Sequence, residues 1–192
     1  MICFNFDGTL TSRNTFLQLL IDAGGWQSMA LNMLKESPAL LLYALGMKNK
    51  GRMKEQLFGR FFEWWAEEKF TSLCEFSAKK NKHLLRPDMM QLMDNAIGKG
   101  EQVVVVTSNF EPLVREYLKD YPQVQIISTT LDIYQGRLSG RFKSPLCAGM
   151  EKVRRLLELF PDKRTYNLTV YGNAKEDVEL LDLADEGHYS PL

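Results

Sequence analysis

The chain reads as a three-layer α/β protein, a parallel sheet between helices, interrupted near its start by a long all-helical insertion. Three observations predict this. Met1 to Phe6 is a short apolar run closed by the turn residues Asp7-Gly8-Thr9, as a buried strand entering a tight turn would be. From about Ser12 to about Met93 the apolar residues recur at three- and four-residue spacing, with no convincing strand among them. From Gln102 onward, β-branched runs alternate with amphipathic stretches, which implies parallel strands joined by right-handed helical crossovers.

The elements follow in order. Residues 2–6 form the first strand. Phe16, Leu17, Leu19, Leu20 and Ile21, and later Leu57, Phe58, Phe61, Phe62 and Trp65, mark helices of the insertion. Gly24-Gly25, Ser37-Pro38, the region 48–51 and Arg86-Pro87 punctuate four or five such helices. Val103 to Val106 predicts a strand buried on both faces, and Glu111 to Leu118 the helix after it. Val124 to Ile127 predicts the next strand. Leu131 to Phe142, with Gln135-Gly136 and Ser139-Gly140, predicts a small antiparallel excursion. Glu151 to Leu159 is an amphipathic helix, Leu168 to Tyr171 a buried strand and Glu176 to Leu183 a closing helix. The expected architecture is a Rossmann-like core of residues 1–11 and 94–192 with a helical cap over 12–93.

Composition excludes several classes. Lys plus Arg and Asp plus Glu are 24 each, so no overall field points to nucleic acid or an anionic surface. Cys3, Cys74 and Cys147 are too few and too scattered for a disulfide framework or a zinc site, which favours a reducing compartment. The opening core strand leaves no room for a signal peptide, and the apolar stretch Ala39 to Met47 is too short to span a bilayer, so a cytoplasmic location is expected. The basic run Lys48, Lys50, Arg52 and Lys54 reads as a solvated connection between cap helices, with contact to an anionic lipid surface as the alternative. His83 and His188 are isolated, and the run Phe61, Phe62, Trp64 and Trp65 reads as cap core.

The polar residues cluster after predicted strands, at the edge where open α/β sheets bind ligands. Asn5 and Asp7 close the first strand, and their i, i+2 spacing directs both to one site. Thr107-Ser108-Asn109 follows the second strand, where hydroxyls and backbone N–H groups can cradle phosphate oxygens. Lys152 opens a helix, and Gly172-Asn173-Ala174-Lys175-Glu176-Asp177 follows the Leu168 to Tyr171 strand. Asp7 could instead be an Asx-turn residue, Thr107 a helix cap, Lys152 a solvated lysine and Asp177 a first-turn acid facing the helix dipole.

With these motifs in this order, the chain resembles the haloacid dehalogenase superfamily of phosphatases, in particular its phosphoserine-phosphatase-like and phosphatidylglycerophosphatase-like members with a helical cap. The DxDGT motif lies over Asn5 to Thr9, the strand-Thr/Ser motif over Val103 to Thr107, the lysine motif over Glu151-Lys152-Val153 and the acidic GDxxxD motif over Gly172 to Asp177. The ending Ala184 to Gly187 is shared as well. The resemblance implies a Mg²⁺-dependent phosphomonoester hydrolase acting on a small phosphorylated substrate through an aspartyl phosphate. It implies Asp7 as acid and base, Thr107, Ser108 and Lys152 as phosphate ligands, and positions 5, 7, 173 and 177 around the metal.

Two positions depart from that pattern. Asn5 stands at the nucleophile and Asn173 at the principal fourth-motif ligand. A carboxamide is uncharged and its lone pairs are delocalised, so it is a poor nucleophile, and losing a nucleophile costs on the order of 10⁴ to 10⁶ in turnover. Mg²⁺ prefers charged oxygen, so both changes also weaken its site. The expectation is a strongly impaired hydrolase, with a non-catalytic phosphate-binding or interaction module on the same scaffold as the alternative.

Overall fold

The computed structural model describes residues 1–35 and 50–189. Five parallel strands form the central sheet: β1 (Ile2–Phe4), β2 (Val103–Phe110), β3 (Gln125–Thr129), β6 (Thr169–Gly172) and β7 (Glu186–Tyr189), in the order β3-β2-β1-β6-β7. Register aligns Phe4 with both Val105 and Tyr171, so the carboxyl ends of the three central strands reach one edge together. The chain winds outward through β2 and β3, then returns to the other side of β1 for β6 and β7. This reversal opens a crevice between the ends of β1 and β6, where such sheets bind ligands.

Alternate side chains of the strands build the two interlayer cores. Phe4, Val103 and Val105 face one way into a cluster with Phe58, Phe62, Phe70 and Leu113, the last on α5 (Glu111–Tyr117). Cys3, Val104 and Val106 face the other way, onto Val153 and Leu156 of α6 (Met150–Leu159) and Leu180 of α7 (Val178–Leu183). The three-layer α/β prediction therefore holds.

Between β1 and β2 the described residues form α1 (Thr15–Lys35), α2 (Lys50–Phe62), α3 (Glu67–Lys80) and α4 (Pro87–Gly98). Gly25, at φ 74°, breaks α1 at the expected punctuation, and Pro87 starts α4 at a position where its missing N–H costs nothing. Lys50 and Gly51, expected as punctuation, lie instead in the first turn of α2. Ser37-Pro38, the apolar stretch Ala39 to Met47 and Lys48 lie outside the described residues. No helix among the described residues is long and apolar enough to cross a membrane.

The predicted excursion is the antiparallel pair β4 (Leu131–Tyr134) and β5 (Arg137–Phe142), which packs on α2. Phe58 of α2 meets the rings of Phe62, Phe70, Phe110 and Phe142, joining the inserted helices, β2 and the hairpin in one aromatic core. Close approach of α2 and β5 depends on two glycines. A Cβ on Gly59 would lie 2.8 Å from the Gly140 carbonyl oxygen, and Gly140 itself has φ +80°. Helix propensity favours alanine over glycine by about 1 kcal/mol, but a clash with backbone reverses the sign. Gly59→Ala is therefore expected to lower the urea-unfolding free energy by about 1–3 kcal/mol. Gly98→Ala, with open space around it, should leave stability unchanged or raise it. Equal effects of the two substitutions would contradict the close-packed seam.

Candidate active site

The structure brings the segments around residues 5, 107, 152 and 173 to the carboxyl edge of the sheet. β1 ends at Phe4, so Asn5 and Asp7 are not strict strand neighbours, and the turn sends their side chains to different partners. The Asn5 amide nitrogen donates to the backbone carbonyl of Asp7 at 2.9 Å and to Oδ1 of Asn173 at 2.9 Å. Its Oδ1 accepts from Lys152 Nζ at 3.0 Å. Lys152 also pairs with Asp177 Oδ1 at 2.5 Å, with both side chains fully buried. The solvated-lysine alternative is thereby excluded. Asp177 Oδ2 accepts the backbone N–H groups of Asn173 and Ala174 at 3.0 and 2.9 Å, holding the loop after β6 in place. Gly8, at φ +83°, leaves room for Asn173, whose side chain occupies the space a Cβ would fill.

The Asp7 carboxylate turns the other way. Oδ1 accepts from the backbone N–H and the hydroxyl of Thr15 at 2.8 and 2.7 Å, and Oδ2 from Asn109 Nδ2 at 3.1 Å. Burial raises its pKa from the ordinary carboxylate value, and the nearby Lys54 charge and these hydrogen bonds only partly oppose the rise. Thr107 is buried, and its hydroxyl accepts the Asn109 N–H at 3.1 Å. The Ser108 hydroxyl donates to Glu176 Oε1 at 3.0 Å.

Above this layer lies a cleft of about 340 Å³. Its polar lining includes Asp7, Ser108, Asn173 and Glu176, and its apolar lining Phe16, Leu17, Met53 and Leu57. Lys50 and Lys54 of α2 also line it. Asn5, Thr107, Lys152 and Asp177 are buried behind these lining residues rather than open to the cleft.

The basic run was expected to be solvated, and for Lys54 the structure corrects this. Lys54 is buried, donates to the Ser108 carbonyl at 2.9 Å and stands over the rings of Phe16 and Phe110. Burial pushes its pKa down to about 8, against the raising effect of Asp7 and Glu176. Glu176 is the opposite case: burial raises its pKa, but hydrogen bonds from Lys50 and Ser108 and the Lys152 charge outweigh this and hold it below the ordinary value.

The cation expected at positions 5, 7, 173 and 177 does not fit the donors present. Asn5 turns N–H rather than oxygen toward Asp7 and Asn173, and both Asp177 oxygens are already bonded. Among the described residues no group of three or more His, Cys, Asp or Glu could hold a metal ion.

The family is decided by a match of residues 2–182 to the haloacid dehalogenase-like hydrolases. The chain belongs to this family. It is 30% identical over 192 residues to Protein CicA of Caulobacter vibrioides, covering 98% of this chain and 85% of that protein. Its fold is similar to that of a protein of unknown function from Bordetella pertussis Tohama I, with TM-score 0.84, 15% identity and coverage of 97% and 87% of the two chains. It is also similar to a substrate-bound phosphoserine phosphatase, with TM-score 0.68, 18% identity and coverage of 97% and 83%. These structural likenesses concern the fold; the haloacid dehalogenase-like family carries the hydrolase assignment.

Sequence reasoning missed Thr15 and Lys54 as parts of the site, and placed Asn109 and Glu176 at its edge without giving either a role. A signal existed for Lys54: it lies four and eight residues before Phe58 and Phe62, on the buried face of α2. Since folded Lys54 releases its proton near pH 8 and the unfolded residue near 10.5, the unfolded chain binds more protons between those values. Stability should therefore rise as pH increases from about 8 to about 10.5. Lys54→Met should flatten that rise in urea-unfolding free energy, whereas an unchanged pH profile would show that Lys54 is solvated.

Proposed function

We propose that this chain binds a phosphomonoester in the cleft, beneath residues 12–93 acting as a cap, and hydrolyses it at a strongly reduced rate. The observation that carries this is the state of Asn5. Its carboxamide is buried at the position assigned to the attacking group and is engaged at both ends, by Lys152 at the oxygen and by Asp7 and Asn173 at the nitrogen. A neutral amide held in this way presents no charged lone pair to phosphorus.

Other elements of a phosphatase site support the same reading. Asp7 borders the cleft with a raised pKa, which suits a carboxyl that donates a proton to a departing alkoxide and then accepts one from water. Ser108 places a hydroxyl on the cleft wall, with Thr107 and Lys152 behind it as the remaining phosphate-binding candidates. Lys50 and Lys54 line the cleft beside Glu176 and Asp7, so an anionic ligand would take over ammonium groups now matched by these carboxylates. Membership of a hydrolase family, with phosphatases among the proteins of similar fold, is consistent with phosphate as that anion.

Phosphate release from 4-nitrophenyl phosphate tests the reading. The wild-type chain should remain near the buffer background with or without Mg²⁺. Asn5→Asp combined with Asn173→Asp should gain on the order of 10⁴ in turnover when Mg²⁺ is present. Wild-type turnover equal to that of the double variant would contradict the assignment of Asn5, and a silent, folded double variant would remove the phosphatase scaffold itself.

A further inference from the structure

Three groups converge between the ends of β1 and β6: the Asp7 backbone carbonyl, Oδ1 of Asn173 and the side chain of Asn5. Two oxygens that converge on one point need a positive group between them, either a cation or N–H donors. The Asn5 NH₂ meets this need, directing its two hydrogens to the two oxygens at 2.9 Å each. Its orientation is fixed by chemistry. Lys152 can only donate and must meet Oδ1, while the Asp7 carbonyl can only accept and must meet Nδ2. Thr9 completes the arrangement by donating its hydroxyl to Asn173 Oδ1 at 3.2 Å.

The charges agree with the geometry. Lys152 and Asp177 cancel one another, Asn5 and Asn173 are neutral, and the Asp7 carboxylate is turned toward Thr15 and Asn109. No uncompensated negative charge is left at the point where the oxygens converge. Relative to a motif with acids at positions 5 and 173, two negative charges have been removed together, the same magnitude as a divalent cation.

We infer that the Asn5 carboxamide replaces a divalent cation, so that this site is complete without metal and takes a phosphate dianion in a metal-independent way. The two asparagines then act as a unit rather than as separate losses. Binding of the dianion rests on the proposed function above, whereas replacement of the cation does not, and the two are read separately.

Thermal unfolding of the full chain tests the replacement. The wild-type midpoint should be the same in 10 mM MgCl₂ and in EDTA, to within about 1 °C. Asn173→Asp alone keeps the Asn5 amide in place and should be equally indifferent, although it restores a carboxylate. Asn5→Asp with Asn173→Asp should be destabilised in EDTA and raised by several degrees in MgCl₂. A Mg²⁺-dependent rise in the wild-type chain or in Asn173→Asp alone would overturn the inference, as would indifference of the folded double variant. If the double variant does not fold in either buffer, the Asn173→Asp result decides. Calorimetric titration of the wild-type chain with inorganic phosphate reads the other half. Equal affinity in EDTA and MgCl₂ supports metal-independent binding, binding lost in EDTA overturns it, and no binding in either buffer overturns phosphate as the ligand while leaving the Mg²⁺ unfolding result to judge the replacement.

Discussion

The ion pair of Lys152 with Asp177 is the constraint on which the site depends. Two opposite charges are fully buried at 2.5 Å, and the same ammonium reaches Asn5 at 3.0 Å. One lysine at the start of α6 thus ties the loop after β6 to the end of β1. Asp177 extends the tie by bonding two backbone N–H groups of the loop that carries Asn173. Such a pair gives little net stability compared with apolar packing, but leaving either charge alone in the interior costs about 3–5 kcal/mol. The cost is acceptable where position must be held, and here it sets which end of the Asn5 carboxamide faces Asp7 and Asn173.

A second set of contacts joins the inserted helices to this edge. Lys54 bonds the Ser108 carbonyl, while Lys50 pairs with Glu176, itself bonded by the Ser108 hydroxyl. One helix of the insertion therefore reaches both the end of β2 and the loop after β6 through cations. The aromatic cluster around Phe58 sets how closely that helix approaches β2 and the hairpin. Cleft shape and cleft charge come from successive turns of α2.

Much of this was legible because the relevant signals are local. Four successive valines announce a strand buried on both faces, and the residue types after each strand announce a polar edge. What was missed required knowledge of tertiary partners. β7 escaped because Glu186-Gly187-His188-Tyr189 is a largely exposed edge strand with one neighbour and no apolar run. β2 runs on to Phe110 because the polar side chains of Thr107, Ser108 and Asn109 are buried with hydrogen-bond partners, which hydropathy does not register. Lys54 was hidden in a run of charge, although its spacing to Phe58 placed it on the inward face. The departures at positions 5 and 173 were visible at once, but their mutual hydrogen bond spans 168 residues and emerges only from the fold.

The Asn5 amide nitrogen fills the point between the Asp7 carbonyl and Asn173. A crystal structure of the wild-type chain grown with Mg²⁺ and phosphate tests it most directly. Nδ2 should lie within hydrogen-bonding distance of both oxygens, with Lys152 on Oδ1 and no ion between them. An octahedral ion bound by the Asp7 carbonyl and Asn173, with the Asn5 side chain turned oxygen first toward it, would show that the amide does not take the cation's place.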